Sequence, residues 1–266
     1  MCMRARWRFP ICRGFELLRR FRCSPRNSWG GLLGFAGYGC PKAPIWFIGL
    51  EEGIAGQTLT DFDKNVPTRC EFRSIMDLRE AHLKLVSNGF PMDLENLKSF
   101  LKLPAVWKWM ARIVGVRNGA FDPRDKDAVH EYVRRRLGRA SGETFLTELS
   151  PLPQRGLNDA KTWARYVDPA CPDVAILKQQ RADKIKSFFA LYKPRLVVSY
   201  GIGGTGLKLH QDFLGLRDWK KKGSFYSAME GGAFVSPFFG QGQMSWKLFD
   251  ELANLVRPAQ ANAGPR

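Results

Sequence analysis

Short apolar runs alternate along the chain with longer segments whose apolar residues recur at helical spacing. Five runs have the length and composition of β-strands, namely residues 45–49, 143–149, 195–200, 224–229 and 233–238. Helical periodicity marks residues 71–87, 93–103, 105–116, 127–140, 174–192 and 244–256. This alternation predicts an α/β fold with a mostly parallel sheet and helices on both of its faces.

The residues that follow these strands are chemically unusual. Glu51 and Glu52 stand at the turn after the first strand, and Glu148 lies near the end of the second. Because ligands of such sheets bind beyond the carboxyl ends of the strands, we expect a functional site where these ends meet. The alternative is a structural role, since adjacent glutamates are common in solvated turns and at helix N-termini, where they favour the helix dipole.

Charge is the strongest global signal in the sequence. The 266 residues include 42 Lys and Arg against 25 Asp and Glu, which gives a formal net charge of +17. A surface this basic attracts polyanions, and nucleic acid is the commonest such partner. A basic protein without any role in nucleic-acid binding is the alternative.

The pattern predicts one domain flanked by two tails. Residues 1–40 carry eight arginines within the first 26 positions and end in a glycine-rich stretch, which predicts a flexible basic extension. An Arg-rich start with few acids also resembles an organellar transit peptide, and an over-long choice of start codon would produce the same pattern. Residues 41–257 are expected to form a single α/β domain, and residues 258–266 a C-terminal tail.

Metal and cofactor chemistry are not indicated. The six cysteines contain no C-x-x-C pair and the three histidines are isolated, so we expect reduced thiols, no metal and no cofactor. No stretch approaches the roughly 18 apolar residues that a membrane-spanning helix needs. A membrane is therefore not expected as a partner.

A literal G-x-G-x-x-G motif follows the third strand, at Gly201, Gly203 and Gly206. Between a strand and a helix this motif binds dinucleotides when the rest of the domain follows it, and Glu230 would then be the acid at the ribose. Only 60 residues follow Gly206, and Glu230 stands in a predicted hairpin turn. We therefore interpret the glycines as a tight turn, with nucleotide binding as the alternative.

Together, the strand ends resemble the uracil-DNA glycosylase superfamily. FIGLEEG resembles the family's first motif, a strand that ends in a glycine-rich turn with the catalytic acid or amide. FLTELSPLP is similar in placement to the strand whose last polar residue reads the base edge, and KPRLVVSYG resembles a later apolar strand that ends in glycine. AFVSPFFGQG resembles the last motif, H-P-S-P followed by a wedge residue. The resemblance covers roughly residues 41 to 257.

The resemblance implies a three-layer α/β/α fold around a central, four-stranded, mostly parallel sheet. It also implies a monofunctional, monomeric DNA glycosylase that flips a base out of DNA and hydrolyses its N-glycosidic bond, which initiates base excision repair of DNA damage. Uracil is the expected base, other deaminated bases are included, and the product is abasic DNA. The expected location is the cytoplasm, on the nucleoid, in a bacterium, and an organelle or the nucleus in a eukaryote.

Two departures from the family pattern affect the chemistry. Alignment on Ser236-Pro237 places Phe234 where the family has its histidine, and Glu148, or Thr147 in the neighbouring register, where a base-reading Asn is common. These departures favour a broader range of deaminated bases. With no histidine, the hydrogen-bond donor to the departing base would be a backbone N–H group after Ser236, or Gln241 or Gln243. Four suitably spaced cysteines are lacking, so no iron–sulfur cluster is expected.

The resemblance implies roles for individual residues. The catalytic carboxylate, which would stabilise the sugar cation and orient water, is Glu51 or Glu52, and the alignment favours Glu51. The residues implied to bind the base are Gly49, Leu50, Phe62, Phe72, Thr147 and Glu148. Phe62 or Phe72 would stack on it, and the family spacing favours Phe72. The motif that faces the leaving group contains Phe234, Ser236, Gln241 and Gln243.

DNA would be held around this site by turns, an apolar wedge and basic runs. The implied contacts are Ser150, Pro151, Ser236, Pro237, Phe238, Phe239, Arg134, Arg135, Arg136, Arg139, Lys220, Lys221 and Lys222. Two alternatives to a glycosylase stay open. One is a catalytically silent nucleic-acid-binding module of the same fold, and the other is an α/β enzyme that binds a nucleotide or sugar phosphate at Gly201–Gly206.

Overall fold

A computed structural model describes residues 34–52, 59–89, 103–150, 174–229, 232–240 and 242–257. Within these ranges the strands are β1 (Gly37–Gly39), β2 (Ile45–Gly49), β3 (Ile75–Met76), β4 (Thr144–Glu148), β5 (Leu196–Tyr200), β6 (Lys220–Lys222), β7 (Phe225–Ala228) and β8 (Ala233–Ser236). The helices are α1 (Leu59–Cys70), α2 (Leu78–Ser87), α3 (Ala105–Asn118), α4 (Lys126–Arg135), α5 (Val174–Tyr192), α6 (Gly206–Leu214) and α7 (Trp246–Val256). The predicted α/β class is confirmed.

The described strands form one sheet in the order β3-β1-β4-β2-β5-β8-β7-β6. Its four central strands, β4, β2, β5 and β8, run parallel to one another. The flanking pairs β1–β4, β7–β8 and β6–β7 are antiparallel. The prediction of a four-stranded sheet is therefore wrong, because the sheet has eight strands in the described part of the chain and the expected four form its parallel centre.

Helices pack on both faces of this sheet because its central strands are apolar on both sides, as parallel strands are. Every residue of β2 and β5 is buried. On one face Phe47 and Val198 pack with residues of α2, α3, α4 and α7. On the other face Trp46 and Val197 pack with residues of α5 and α6.

The predicted helices agree with the structure to different degrees. The periodicity over 174–192 matches α5 at both ends. Residues 71–87, in contrast, do not form one helix, because Ile75–Met76 pair with β1 and α2 begins only after Asp77. The Asp77 carboxylate caps this helix by accepting the N–H groups of Arg79 and Glu80. The predicted helix over 93–103 lies almost wholly outside the described residues.

Strand β1 comes from the segment that the sequence assigns to the basic extension. It runs antiparallel to β4, with Tyr38 opposite Leu146, so the sheet begins before residue 41 and the predicted boundary at residue 40 is too late. Residues 1–33 and 258–266 lie outside the described residues. The end of the chain segment that precedes β1 is bound by Thr147, whose Oγ1 donates to the carbonyl of Ala36 at 2.6 Å.

The glycine-rich motif forms a tight turn between β5 and α6. Gly201 has φ +110°, a conformation that favours glycine. Gly206 lies so close to the carbonyl oxygen of Gly201 that an added Cβ would overlap it, whereas a Cβ on Gly203 would meet no atom within 4 Å. The turn therefore depends on the first and last glycines of the motif and not on Gly203.

Two alanine substitutions test the different contributions of Gly206 and Gly203 to stability. We expect Gly206→Ala to lower the free energy of unfolding by about 2 kcal/mol or more, since the backbone must move to admit the methyl group, and the matched Gly203→Ala to change it by less than about 0.5 kcal/mol. Urea titration followed by circular dichroism measures both values. Equal effects of the two substitutions would contradict this account of the turn.

Candidate active site

The ends of the four parallel strands meet at one edge of the sheet, which we call the carboxyl edge. Past β2 and β4 the backbone pairing continues, with the N–H of Leu149 donating to Gly49 at 2.9 Å and that of Ser150 to Leu50 at 2.7 Å. Past β5, the N–H of Gly201 donates to the carbonyl of Ser236 at 2.9 Å. The sequence expectation that these strand ends converge is thus confirmed.

Glu52 is held at this edge by a buried arginine. Two guanidinium nitrogens of Arg69, in α1, donate to the two carboxylate oxygens, each at 2.7 Å, and the Tyr38 hydroxyl donates to Oε2 at 3.2 Å. Arg69 is 4% exposed and Glu52 is 27% exposed. Burial alone would raise the pKa of Glu52, but the charge and hydrogen bonds of Arg69 outweigh it and lower that pKa. Glu52 is therefore ionised at neutral pH and fixed in place.

Glu51 is half-buried and precedes Glu52 in the loop Leu50–Glu52, which we call the acidic loop. Its charge contributes to raising the pKa of Glu148, so it lies near that carboxyl group. The side chain of Leu50 packs against Gly201, where an added Cβ would lie 2.6 Å from Leu50 Cδ1. The structure thus gives the two adjacent glutamates different environments.

Glu148 carries the second carboxyl group of the edge. The Tyr200 hydroxyl donates to its Oε1 at 2.8 Å, while Oε2 is buried and makes no hydrogen bond within the described part of the chain. Gly49 has no side chain and so leaves room for this carboxyl group, since an added Cβ there would clash with Glu148 Oε2. A larger residue at position 49 would therefore displace this carboxyl group.

Burial raises the pKa of Glu148 to about 8. The hydrogen bond from Tyr200 and the charge of Arg181 act in the opposite direction, and the charges of Glu52 and Glu51 add to the rise. Glu148 therefore carries its proton at pH 7, a short distance from the ionised Glu52. Carboxyl groups whose environments separate their pKa values in this way are typical of acid–base sites.

Several residues of this edge were not selected from the sequence. Tyr200 ends β5 and stacks on Phe239, with ring centroids 4.8 Å apart and an interplanar angle of 15°. Arg181 donates to the main-chain carbonyl of Glu148 at 2.8 Å. Tyr38 and Arg69 lie 14 and 17 residues from Glu52, and no local pattern connects them with it. Only Tyr200, a polar end to an apolar strand, had a signal in the sequence.

The structure places other predicted site residues in the core or in structural hydrogen bonds. Phe72 is 5% exposed and packs on Phe35, with centroids 5.4 Å apart, so its ring is not presented for base stacking. Phe234 and Phe239 are buried as well, which excludes Phe239 as a wedge in this arrangement. The buried Ser236 hydroxyl donates to the carbonyl of Pro237 at 3.0 Å and does not reach outward to a phosphate.

The remaining predicted contacts are distributed around the edge. Phe238 is half-buried and contacts the core, Pro237 and Ser150 are half-buried, and Gln243 is exposed. The hydroxyl of Thr147 donates to the carbonyl of Ala36, as described above. Pro151, Gln241, Glu230 and the side chain of Phe62 lie outside the described residues.

The two basic runs lie in different places. Arg135, Arg136 and Arg139 line a cleft with Pro44 and Glu143, which precede β2 and β4, so this cleft is at the opposite, amino edge of the sheet. The neighbouring Arg134 is also in α4. The prediction that this run contacts DNA at the site therefore lacks support from the fold.

The lysine run, in contrast, lies on the side of the carboxyl edge. The outer strand β6 exposes Lys220, Lys221 and Lys222. Lys222 pairs with Phe225 of β7, and the next residue of β7, Tyr226, pairs with Val235 of β8. Lys222 is therefore level with the end of β8. Two strand spacings put it about 10 Å from that end. Exposed lysines also protect an edge strand from pairing with other chains.

Comparisons of the chain with protein-family models, with curated proteins and with solved structures find no match. Within the described ranges, no cluster of three or more His, Cys, Asp or Glu side chains has the arrangement of a metal site. No helix among the described elements is long and apolar enough to cross a membrane.

We expect Arg69→Met to lower the free energy of unfolding by roughly 3 kcal/mol, because it leaves the Glu52 carboxylate in a largely buried position without its partner. The matched control is Arg73→Met, since Arg73 pairs with Glu80 at 2.6 Å but both side chains are exposed, and its effect should stay below about 1 kcal/mol. Urea titration at pH 7 measures both variants.

The same pair predicts a dependence of stability on pH. The pKa of Glu52 is lower in the folded chain than its ordinary value of 4.5, so its contribution is present above pH 4.5 and is lost as the pH falls through the folded-state value. Glu52→Gln should therefore lose less stability than the parent protein between pH 5 and pH 3. Parallel stability curves over this range would show that Glu52 is not held as an ion.

Proposed function

We propose that this protein is a DNA glycosylase that hydrolyses the N-glycosidic bond of uracil, and of other deaminated bases, and so initiates base excision repair. The observation that carries the proposal is the position of the buried Glu148 carboxyl, hydrogen-bonded to Tyr200, at the same sheet edge as the acidic loop, where burial raises its pKa to about 8. Glycoside hydrolysis uses such a combination, because positive charge develops on the sugar and negative charge on the leaving group.

The two glutamates of the acidic loop have different roles in this proposal. Glu52 stays ionised, with its charge paired to Arg69 through two hydrogen bonds, and it fixes the loop to α1, so it is a positioning residue. Glu51 is the carboxylate that faces the sugar cation and accepts a proton from the attacking water. This assignment agrees with the alignment that favoured Glu51.

Glu148 takes the place of the histidine that the family resemblance leads us to expect and that Phe234 replaces. As the oxygen of water bonds to the sugar carbon, the bond to the base nitrogen breaks and the departing base receives a hydrogen bond, and then the proton, from Glu148. Water transfers its own proton to Glu51, and exchange with solvent restores both carboxyl groups. Tyr200 keeps the Glu148 side chain oriented through its bond to Oε1.

A base has to enter the carboxyl edge for this chemistry. Glu148 Oε2 is shielded from solvent, so the proposal requires the edge to open when the nucleotide leaves the stack, which itself costs a few kcal/mol. Phe238 is a half-buried aromatic residue that follows the end of β8, and it is the proposed wedge. The lysines of β6 attract the flanking phosphates without sequence preference.

The direct test is release of uracil from a labelled oligonucleotide, single- or double-stranded, followed by alkaline cleavage of the abasic product. We expect strand breaks with the parent protein and a rate at least about 100-fold lower for Glu51→Gln and for Glu148→Gln, which is the usual size of an acid–base contribution. Asp212→Asn is the control, since Asp212 is an exposed carboxylate paired with Lys208 at 2.7 Å, and it should retain full activity.

Absence of breaks in both kinds of DNA at enzyme excess would overturn the uracil assignment. Salt-sensitive DNA binding without base release would then indicate the silent binding module. Loss of an activity on Gly203→Ala that Glu51→Gln leaves intact would instead indicate the nucleotide-binding enzyme.

The pH dependence of base release provides a separate check on Glu148. With its pKa raised to about 8, Glu148 loses its proton in the upper part of the accessible range, so the rate should fall as the pH rises from 7 to 9. Glu148→Gln keeps an N–H donor that does not titrate, and its lower rate should not show this fall. Rates measured under single-turnover conditions distinguish the chemical step from product release.

A further inference from the structure

Trp246, the first residue of α7, presents a large aromatic surface to solvent. It is 40% exposed, although Met244 and Phe249 on either side of it are buried. The Ser245 hydroxyl accepts the N–H of Leu248 and so caps the helix at this point, which fixes the backbone that carries the indole. A single exposed apolar residue is ordinary, but this one belongs to an organised cluster.

The indole of Trp246 is held by two aromatic rings and two arginines. Its centroid lies 5.2 Å from that of Trp109 and 5.6 Å from that of Phe249, both in edge-on contacts. The Cζ atoms of Arg112 and Arg124 each lie 4.6 Å from the centroid of the indole, and Arg112 is itself buried. The exposed ring is therefore ordered before any ligand binds, which lowers the entropic cost of binding.

The directions of α3 and α7 show where this ring lies. Asn118, the last residue of α3, donates to the carboxylate of Glu143, which precedes β4 and is at the amino edge. Arg117 donates to the carbonyl of Val256, the last residue of α7, at 3.0 Å. Both helices therefore end at the amino edge. Because the chain leaves β8 at the carboxyl edge and then forms α7, Trp246 lies towards the carboxyl edge.

The first turn of α3 connects this region with the acidic loop. Trp107 packs edge-on against His82, with ring centroids 5.0 Å apart. Burial lowers the pKa of His82 to about 4, and the charge of Glu52 opposes this shift, so His82 and Glu52 are neighbours. α3 thus approaches Glu52 through Trp107 and contacts Trp246 through Trp109.

The charge around the ring complements a polyanion. Four cationic side chains adjoin the two tryptophans in sequence or stack on the indole, namely Lys108, Lys247, Arg112 and Arg124. Two acids accompany them, Asp250, which pairs with Arg124 at 2.8 Å, and Asp122, whose charge acts on Arg112. An ordered aromatic ring among cations suits a nucleobase attached to phosphates, because every base has a face that stacks and the cations attract the backbone.

We propose that Trp246 binds a nucleobase by stacking, and that this base lies in the strand whose damaged nucleotide enters the carboxyl edge. The identity of that strand rests on the proposed function. Stacking on an aromatic side chain is tolerant of base identity, so this contact adds affinity without adding sequence preference. Because both faces of a base are covered inside a duplex, the contact also favours single-stranded DNA.

The test compares two labelled single strands by fluorescence anisotropy, an oligothymidylate and a deoxyribose-phosphate strand of the same length that lacks every base. We expect Trp246→Ala to weaken binding of the oligothymidylate about 10-fold or more, the usual effect of removing one stacking residue, and to leave binding of the baseless strand unchanged. Its dependence on salt should match that of the parent, since no phosphate contact is lost.

Three further variants separate stacking from a general effect of the substitution. Trp246→Phe keeps an aromatic face and should recover most of the affinity, whereas Trp246→Leu keeps apolar volume without that face and should behave as Trp246→Ala. Leu191→Ala is the matched control, since Leu191 is 67% exposed at the end of α5, and it should leave both affinities unchanged. Urea titration verifies that each variant is folded.

An undiminished affinity of Trp246→Ala for the oligothymidylate would overturn the proposal, as would an equal loss with the baseless strand or full affinity in Trp246→Leu. Neither strand contains uracil, so a failure of base release would count against the proposed function alone. Base release by the parent together with unchanged binding in Trp246→Ala would count against the stacking contact alone.

Discussion

The ion pair between Glu52 and Arg69 is the interaction on which the carboxyl edge depends. A largely buried carboxylate is costly unless both of its oxygens are satisfied, and here two guanidinium nitrogens and the Tyr38 hydroxyl satisfy them. The pair joins α1 and β1 to the acidic loop, three elements that are distant in sequence. Because it keeps a negative charge at the edge, it also contributes to the raised pKa of Glu148. One interaction therefore both shapes the edge and favours the proton on its second acid.

The orientation of β1 has a comparable effect on a larger scale. A parallel β1 next to β4 would bring residues 34–36 to the amino edge, where Arg135, Arg136 and Arg139 already lie. The antiparallel arrangement brings them instead to the edge that holds Glu148. Donors from α5 and β4 hold the chain just before this short strand, since Arg181, Lys184 and Thr147 bind the carbonyls of residues 34–36. These hydrogen bonds offset part of the cost of ordering that chain.

The parallel centre of the sheet and the convergence of its strand ends were predictable, because buried parallel strands are continuous apolar runs with recognisable ends. Strands of two or three residues, such as β1 and β3, carry no such pattern and are defined only by their partners. Contacts with the ligand that were assigned from a residue's position next to a motif were less successful. The side chains of Phe72, Phe239 and Ser236 are buried in the fold and are not presented to a ligand. Which of two adjacent residues is buried depends on tertiary packing and not on the local sequence. For the same reason, the side-chain directions of Glu51 and Glu52 could not be derived from the sequence, and only the alignment with the family's motif favoured Glu51.

Under the proposed function, the acidic loop of this basic protein would select which part of a nucleotide enters the carboxyl edge. Glu51 and Glu52 lie at the end of β2, whereas the exposed lysines of β6 lie on the β8 side of the same edge. In that proposal, phosphates are attracted to the lysines and repelled by the carboxylates of the acidic loop, so an uncharged base is the part of the nucleotide that would enter at the lowest electrostatic cost. A neutral Glu148 would not add to this repulsion, and in the proposed reaction its proton is available to a carbonyl oxygen of the base. The opposite charges of the acidic loop and the β6 lysines would thus orient such a ligand before any specific contact forms.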